Sequence, residues 1–422
     1  MINKILKILW ITLGKIPRLK QYIYKFYAWR IFEIIPTLKK LIYKLYDKFW
    51  YLELSVDIKD QSLSNKFPNE LIIDIGRLKN YLDYNSYLKN KNLFLDENWD
   101  NSNNLKKIIE SLEYIFLNEH FLNKKKWEEI DFYRTLSDNE TQQKNLKDKS
   151  DKNQFFELLN SLDELYLNLN LEKIKNKIHV GIGRNGEFIL IEGLFHFSLL
   201  QILNQKNIPI KVVVRHPQWI KFCNEFLKFQ TIHGEIYQPL IHPDLNLKTA
   251  YYSDERFKII KDNLNIKKGS VLDIGANLGF FCHNLEDLGF NCYAVEVRPS
   301  NVYFMKKLRD IEDKKFKIIN KSIFDLKITK EFDIVIALNI FHHFIREKKL
   351  YLELIDFLKK LKMKTMFFQP HNPNEIIMQN AYVNYSNREF VDFIIKFSCL
   401  SKAILLNEKV DGRDRPIYKI IK

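Results

Sequence analysis

The chain has 422 residues, too many for one ordinary domain. Its 67 Lys and Arg exceed its 52 Asp and Glu, giving a formal charge of +15 that admits nucleic acid, an anionic membrane surface or an acidic substrate as partner. A hydrophobic fraction of 46% excludes a disordered chain, and 12 Gly with 11 Pro exclude collagen-like or proline-rich architecture. The four cysteines (Cys223, Cys282, Cys292, Cys399) are far apart and show no zinc-type spacing, so no metal and a reducing, cytoplasmic compartment are expected. No run of 18 uninterrupted apolar residues predicts a transmembrane span.

The charge is unevenly placed. Residues 1–50 hold 11 basic and 2 acidic residues, residues 51–250 sum to −2, and residues 251–422 sum to +8. The first fifty read as helices interrupted at Pro17 and Pro36, with Leu19, Tyr22, Ile23, Phe26 and Ile34 at helical spacing and Lys or Arg between them. Trp10, Trp29 and Trp50 add rings of the kind that settle at headgroup depth. Two readings follow: a basic amphipathic segment making peripheral contact with a membrane, or a helical pair docked on the rest of the protein. Lys7 interrupts the apolar stretch that a secretory signal would need.

Residues 65–235 read as an α+β domain. Residues 137–154 are polar enough for a linker or exposed loop. Residues 178–192 alternate apolar and polar on both sides of Asn185-Gly186, which predicts a hairpin with a type I′ turn. A helix over 194–203 and a buried strand over 208–215 follow. Hairpin, helix and strand in that order, with Arg215-His216-Pro217-Gln218-Trp219 after them, resemble the ParB/sulfiredoxin-like fold over residues 175–220. In that fold an arginine near the helix start helps bind phosphate or nucleotide; here that position carries His196, between Phe195 and Phe197, so the module reads as degenerate. Arg184 and Arg215 are the remaining cations that an anion at this helix start would meet. Trp127, Tyr133 and Arg134 resemble a segment that precedes this module in related two-part proteins.

Residues 270–297 (SVLDIGANLGFFCHNLEDLGFNCYAVEV) carry the strongest chemical signal. They read as a buried strand, a glycine-containing turn, a helix and a second strand that ends on Glu296, the first βαβ unit of a doubly wound sheet in residues 250–422. Gly275 permits a sharp turn and Gly279 a close helix start, which should leave backbone N–H groups facing a ligand. Asp273-Ile-Gly275-Ala276-Asn277-Leu-Gly279 lacks the middle glycine of a dinucleotide fingerprint, which suits a ligand without a diphosphate. These residues resemble motif I and the ribose-binding acid of the Rossmann-like S-adenosylmethionine-dependent methyltransferases. The resemblance implies S-adenosyl-L-methionine as cofactor, with Asp273, Gly275, Ala276, Asn277, Gly279, Glu296, Ser322, Asp325 and Asn339 around it. It also implies strands over 316–320, 332–338 and 364–369, then a sixth over 402–406 and an antiparallel seventh over 417–421 joined through Gly412. Asn277 and Phe280 are expected to line the pocket, and Tyr251, Tyr252 and Arg256 to close over the methionine end of the cofactor.

Missing motifs narrow the acceptor. Asn339-Ile340-Phe341 stands where base-amino methylases carry an N-P-P-Y type sequence, and no cysteine follows a proline as base C5 methylation requires. Nucleic acid is therefore disfavoured, and transfer to an oxygen or nitrogen of a small molecule, glycan or glycolipid is expected. Such transfer removes a proton from the acceptor, for which a neutral histidine suffices at pH 7. His343, His371 and His342 are the candidates, near the ends of the fourth and fifth strands, with Asn372 and Tyr382 as orienting groups and Arg413 and Arg415 as anion clamps. The alternative is a nucleic-acid or nucleotide-binding ParB-like protein whose methyltransferase domain is accessory or inactive.

Overall fold

The computed structural model describes residues 67–82, 98–130, 150–174, 176–233, 236–247, 249, 253–410 and 414–422. The basic segment 1–50, Tyr133, Arg134, Tyr251, Tyr252 and residues 411–413 lie outside the described residues. The chain divides into two compact units between Phe226 and Leu227.

The first unit is built on a six-stranded mixed sheet in the order β1-β6-β4-β5-β2-β3. Its strands are β1 (Glu70–Asp74), β2 (Leu78–Leu82), β3 (Leu105–Lys107), β4 (His179–Ile182), β5 (Phe188–Glu192) and β6 (Asn207–Arg215). The helices are α1 (Leu112–Phe121), α2 (Ser150–Leu167), α3 (Leu194–Ile202) and α4 (Pro217–His233), the last running on past the division. The expected hairpin, helix and strand appear as β4-β5, α3 and β6. The hairpin turn is different from the expected type I′. Gly186 N–H donates to Gly183 O at 3.0 Å and Gly186 alone takes a positive φ of 84°, so the turn centres on Arg184-Asn185. The reason is a long-range clamp: the Asp100 carboxylate accepts from the Arg184 backbone N–H at 2.6 Å and from its guanidinium at 2.6 and 3.0 Å. The expected linker also ends early, because residues 150–154 form the first turn of α2. Leu159, Leu162 and Leu165 recur at helical spacing and are buried, which pulls that polar turn into the helix.

The second unit carries a seven-stranded sheet in the order β12-β13-β11-β10-β7-β8-β9. The strands are β7 (Ser270–Ile274), β8 (Asn291–Val295), β9 (Lys317–Ile319), β10 (Phe332–Leu338), β11 (Met363–Gln369), β12 (Lys402–Asn407) and β13 (Ile417–Ile421). All neighbours are parallel except β13, which is antiparallel to both β11 and β12. Five helices accompany it: α5 (Ser253–Asp262), α6 (Phe280–Asp287), α7 (Pro299–Ile311), α8 (Lys348–Lys360) and α9 (Asn387–Phe397). Burial on both faces explains the continuous apolar runs. Leu272, Val335, Ala337, Met366 and Phe368 face a core completed by Leu354 and Phe357 of α8 and Phe390 and Ile394 of α9. Val271, Ile334, Ile336 and Phe367 alternate with them and pack on Ile260 of α5, Phe281 and Leu285 of α6 and Met305 of α7. Strand order reverses direction at β7, between β8 and β10, so the loops leaving these strands part and open a crevice at their carboxyl ends.

Candidate functional site: a cavity at the switch point

A cavity of about 420 Å³ fills that crevice. Its wall comes from the ends of four strands and the segment before α5: Asp273 in β7 with Gly275 and Asn277 after it, Glu296, Val297 and Arg298 after β8, Lys321, Ser322 and Ile323 after β9, and Asn339, Ile340 and His343 after β10. Tyr237, Gln238 and Arg256 close the remaining side.

Gly275 has φ +74°, and a Cβ there would stand 2.9 Å from Ile340 Cδ1, so the turn requires glycine twice over. The N–H groups of this turn do not face a ligand as expected. Those of Gly275 and Ala276 both donate to Val295 O at 3.0 Å, that of Asn277 to Glu296 Oε2 at 3.0 Å, and that of Gly279 to Ala276 O at 2.8 Å. Tight winding of the turn against the end of β8 uses these donors internally. Glu296 Oε1 in turn accepts from the N–H groups of Val297 at 2.9 Å and Arg298 at 2.8 Å, at the start of α7. Burial raises the Glu296 pKa, and these N–H donors and the Arg298 charge oppose the rise. Asp273 is more strongly affected: burial pushes its pKa up to about 7, the Cys282 thiol 3.7 Å away opposes this, and the Glu296 charge adds to it.

Of the expected cofactor residues, Asp273, Gly275, Asn277, Glu296, Ser322 and Asn339 line the cavity. Ala276 and Gly279 do not; Ala276 is in the core, and Gly279, at φ +85°, is the N-cap of α6 against Met305 and Phe316. Asp325 is exposed and off the cavity, because the 3-10 turn Ile323–Asp325, capped by the Ser322 hydroxyl on Phe324 N–H, carries its side chain to the surface. Both Phe280 and Phe281 pack in the core, and of the two Phe281 borders the cavity. Arg256 is in the wall as expected, whereas Tyr237, Gln238, Arg298, Asn301 and Ile340 were not foreseen.

The three histidines come together. His342 and His343 belong to the 3-10 turn Phe341–His343, with ring centroids 4.0 Å apart, and His371 lies 5.6 Å from His342. Only His343 reaches the cavity wall, with its ring open to solvent; His342 and His371 are buried behind it. Burial pushes the His342 pKa down to about 2, with the neighbouring histidines and Arg415 and Arg346 adding to the effect. His343 shifts in the same direction through its crowded surroundings and the charges of Arg346, Arg298 and Arg415; its solvent-exposed edge weakens the first of these causes. His371 Nε2 lies 3.0 Å from Asn384 Oδ1, and Asn384 donates through Nδ2 to Pro373 O. Asn372 is used within its own turn, its Oδ1 accepting from Asn374 N–H, and Arg415 is paired with Glu375.

The donor set fits S-adenosylmethionine. Gln238 Oε1 and Asn339 Oδ1 are buried acceptors with no hydrogen-bond partner among the described residues, suited to ammonium or amino N–H groups. Asp273 and Glu296 supply carboxyl groups that can accept from hydroxyl or ammonium donors, and Val297, Ile323, Ile340 and Phe344 offer apolar walls to an adenine ring.

Residues 272–361 match the family described as a methyltransferase domain. Among solved structures, the chain is similar to monomeric WbdD at 22% identity, covering 44% of this chain and 46% of that one with a TM-score of 0.38. A second WbdD structure, described as a bifunctional kinase-methyltransferase, is 21% identical, with coverage of 44% on both sides and a TM-score of 0.37. The chain therefore spans less than half the length of these proteins. The magnesium protoporphyrin IX methyltransferase ChlM from Synechocystis PCC 6803, with bound SAM, is 12% identical over 40% of this chain and 77% of its own, with a TM-score of 0.31. No curated protein matches the chain closely enough to count as a relative.

Proposed function

We propose that the protein is an S-adenosylmethionine-dependent methyltransferase acting on an oxygen or nitrogen of a small molecule, glycan or glycolipid. The observation that carries this is the switch-point cavity, whose turn N–H groups are engaged internally and whose wall holds Asp273 and Glu296. When bound, the cofactor supplies an activated methyl group on a sulfonium. Glu296 binds the ribose hydroxyls, Gln238 and Asp273 receive the ammonium end, and Ser322 borders the adenine. Held there, it would offer that methyl group to the acceptor, whose proton His343, neutral at pH 7, would take. His342 and His371 position it from behind. Holding donor and acceptor in line contributes most of the rate.

Residues 1–50 are proposed as a peripheral contact with the cytoplasmic membrane face, on composition alone; among the described residues no helix is long and apolar enough to cross a membrane. The ParB-like reading of the first unit has less behind it. The two arginines offered to an anion are both engaged, Arg184 by Asp100 and Arg215 by Asn69 Oδ1 at 3.1 Å and Pro68 O at 2.6 Å. Calorimetric titration with S-adenosylmethionine and S-adenosylhomocysteine tests the core of the proposal. Failure of both to bind, or binding unchanged in Glu296→Ala, overturns it, and labelled S-adenosylmethionine added to cell extracts with the purified protein identifies the acceptor.

A further inference from the structure

Asn339, the residue after β10, is held at two points by Gln369, the last residue of β11. Its backbone N–H donates to Gln369 O at 3.0 Å, and its side-chain Nδ2 donates to Gln369 Oε1 at 2.8 Å. Gln369 Nε2 donates in turn to Arg415 O at 3.0 Å. The relay thus crosses three neighbouring strands, because β13 runs antiparallel to β11 and its start lies beside the carboxyl ends of β11 and β10. Asn339 and Gln369 are 6% and 2% exposed, and Asn339 takes a left-handed φ of 54°, which asparagine bears better than most residues. Direction along the relay is fixed at its far end. A backbone carbonyl can only accept, so Arg415 O obliges Gln369 to turn its NH2 group away from Asn339 and its oxygen toward it. Asn339 must then give its own NH2 group to Gln369, and Oδ1 is left as the polar atom of its side chain that the relay does not use. Asn339 belongs to the cavity wall and Gln369 does not, and Asn339 Oδ1 is buried with no hydrogen-bond partner among the described residues.

We infer that Gln369 is a positioning residue for the cofactor: it aims Asn339 Oδ1 into the cavity as an acceptor that an amino group of S-adenosylmethionine fills. This deepens the proposed function and rests on it for the identity of the ligand. An amide free to turn about its last bond offers a ligand either its NH2 group or its oxygen. Here the relay removes the first choice, so selectivity at this point is set from behind the wall. A buried acceptor without a donor costs free energy, and the cavity therefore favours a ligand that brings an N–H group here over one that brings another oxygen. S-adenosylmethionine has two such groups, the α-ammonium and the adenine amino group, and one of them completes the relay.

The test is calorimetric titration of the full chain with three probes: S-adenosylhomocysteine, its analogue without the α-amino group, and its inosine counterpart, in which oxygen replaces the adenine amino group. The wild type should prefer S-adenosylhomocysteine to both analogues. Gln369→Met should shrink one of these two preferences roughly fivefold, and the analogue concerned names the amino group that Asn339 receives. Asn339→Ala should shrink the same preference, and the double variant should be no worse than Asn339→Ala alone, since nothing is then left to aim. Gln369→Glu should keep most of the preference, because in either protonation state an oxygen remains to accept from Asn339 Nδ2. Gln369→Ser, polar but too short to reach Asn339, carries the same expectation should Gln369→Met not fold. Equal weakening of all three probes by Gln369→Met, or losses that add in the double variant, give Gln369 a purely structural role and overturn the inference, as do preferences that Gln369→Met leaves unchanged. A wild type that binds none of the probes removes the methyltransferase reading itself, so the two failures are told apart.

Discussion

The backbone N–H of Asn277 donates to Glu296 Oε2 across 3.0 Å, so the turn after β7 is tied directly to the residue that ends β8. Glu296 thereby holds together the two loops that shape the cofactor cavity, besides offering its carboxylate to the cavity. Glu296→Ala leaves the N–H groups of Asn277, Val297 and Arg298 without their acceptor. Loss of at least about tenfold in S-adenosylhomocysteine affinity is expected, with a stability cost of about 2 kcal/mol, read by calorimetry and by urea unfolding. Glu296→Gln, which keeps one acceptor oxygen, should fall between the two.

Gly275→Ala forces a Cβ to within 2.9 Å of Ile340 Cδ1 and places alanine at φ +74°. The backbone alone costs about 1–2 kcal/mol. Displacing Ile340, itself part of the cavity wall, should further weaken cofactor binding. Adding Ile340→Ala relieves the clash but not the backbone, so the double variant should regain part of the affinity while its melting temperature stays below that of the wild type.

Two buried groups pull stability in opposite directions with pH. Asp273 titrates near pH 7 in the folded protein against 3.8 in an ordinary carboxyl, so its contribution is full below 3.8 and is lost as pH rises to about 7. His342 is depressed from 6.5 to about 2, so its contribution is full above 6.5 and is lost as pH falls. Relative to the wild type, Asp273→Asn should make stability climb more steeply between pH 4 and 6.5, and His342→Phe should make it fall. The difference for each is up to about 1.4 kcal/mol per pH unit. Urea unfolding at successive pH values measures both slopes.

His343→Asn should lower methyl transfer by about 10²- to 10⁴-fold, the usual worth of a general base. Cofactor affinity should hardly change in this variant. His371→Asn acts through packing, since the ring is fully buried against Phe390 and Asn384. It should therefore lower the melting temperature, which His343→Asn should not. Single-turnover transfer of labelled methyl and thermal unfolding separate the two.

In the first unit Arg184→Met strands the Asp100 carboxylate, whose side chain is fully buried. About 3 kcal/mol of stability should be lost, as when one member of a buried pair is removed. The Asp100 pKa is lowered by the hydrogen bonds and charges of Arg184 and His216, which outweigh the opposing effect of burial. Its stabilisation is thus present above pH 3.8 and is lost as pH falls further. Denaturant titrations near pH 3 and pH 7 check the size and the sign.

Strand 332–338 can be read from the chain to the residue, because a strand buried on both faces is an apolar run, here interrupted only by Asp333 and closed by Asn339. The start of α9 is also written locally, in the capping box formed by Ser386 and Glu389. What local pattern does not contain is pairing across distance. Asp100 meets Arg184 from 84 residues away and so recentres a turn that Asn185-Gly186 alone would place differently. Gln238 and Tyr237 enter the cavity wall from an irregular segment with no periodicity to mark them. Phe280 and Phe281 differ only by one step round a helix, about 100°, and apolar neighbours in sequence do not say which of them faces the ligand. The acid at Asp325 lies at a plausible place in the chain, but a 3-10 turn rotates it outward.

The engaged N–H groups after β7 bear on which molecules compete for the cavity inside a cell. Nucleoside triphosphates share the adenosine half of S-adenosylmethionine and are abundant, and a turn with open amides would welcome their phosphates. Here Val295 O occupies the Gly275 and Ala276 amides and Glu296 the amide of Asn277, so these three amides are closed to a phosphate that follows an adenosine into the site. The same compact winding that forms the pocket thus withholds from triphosphates the contacts that an open turn would give them.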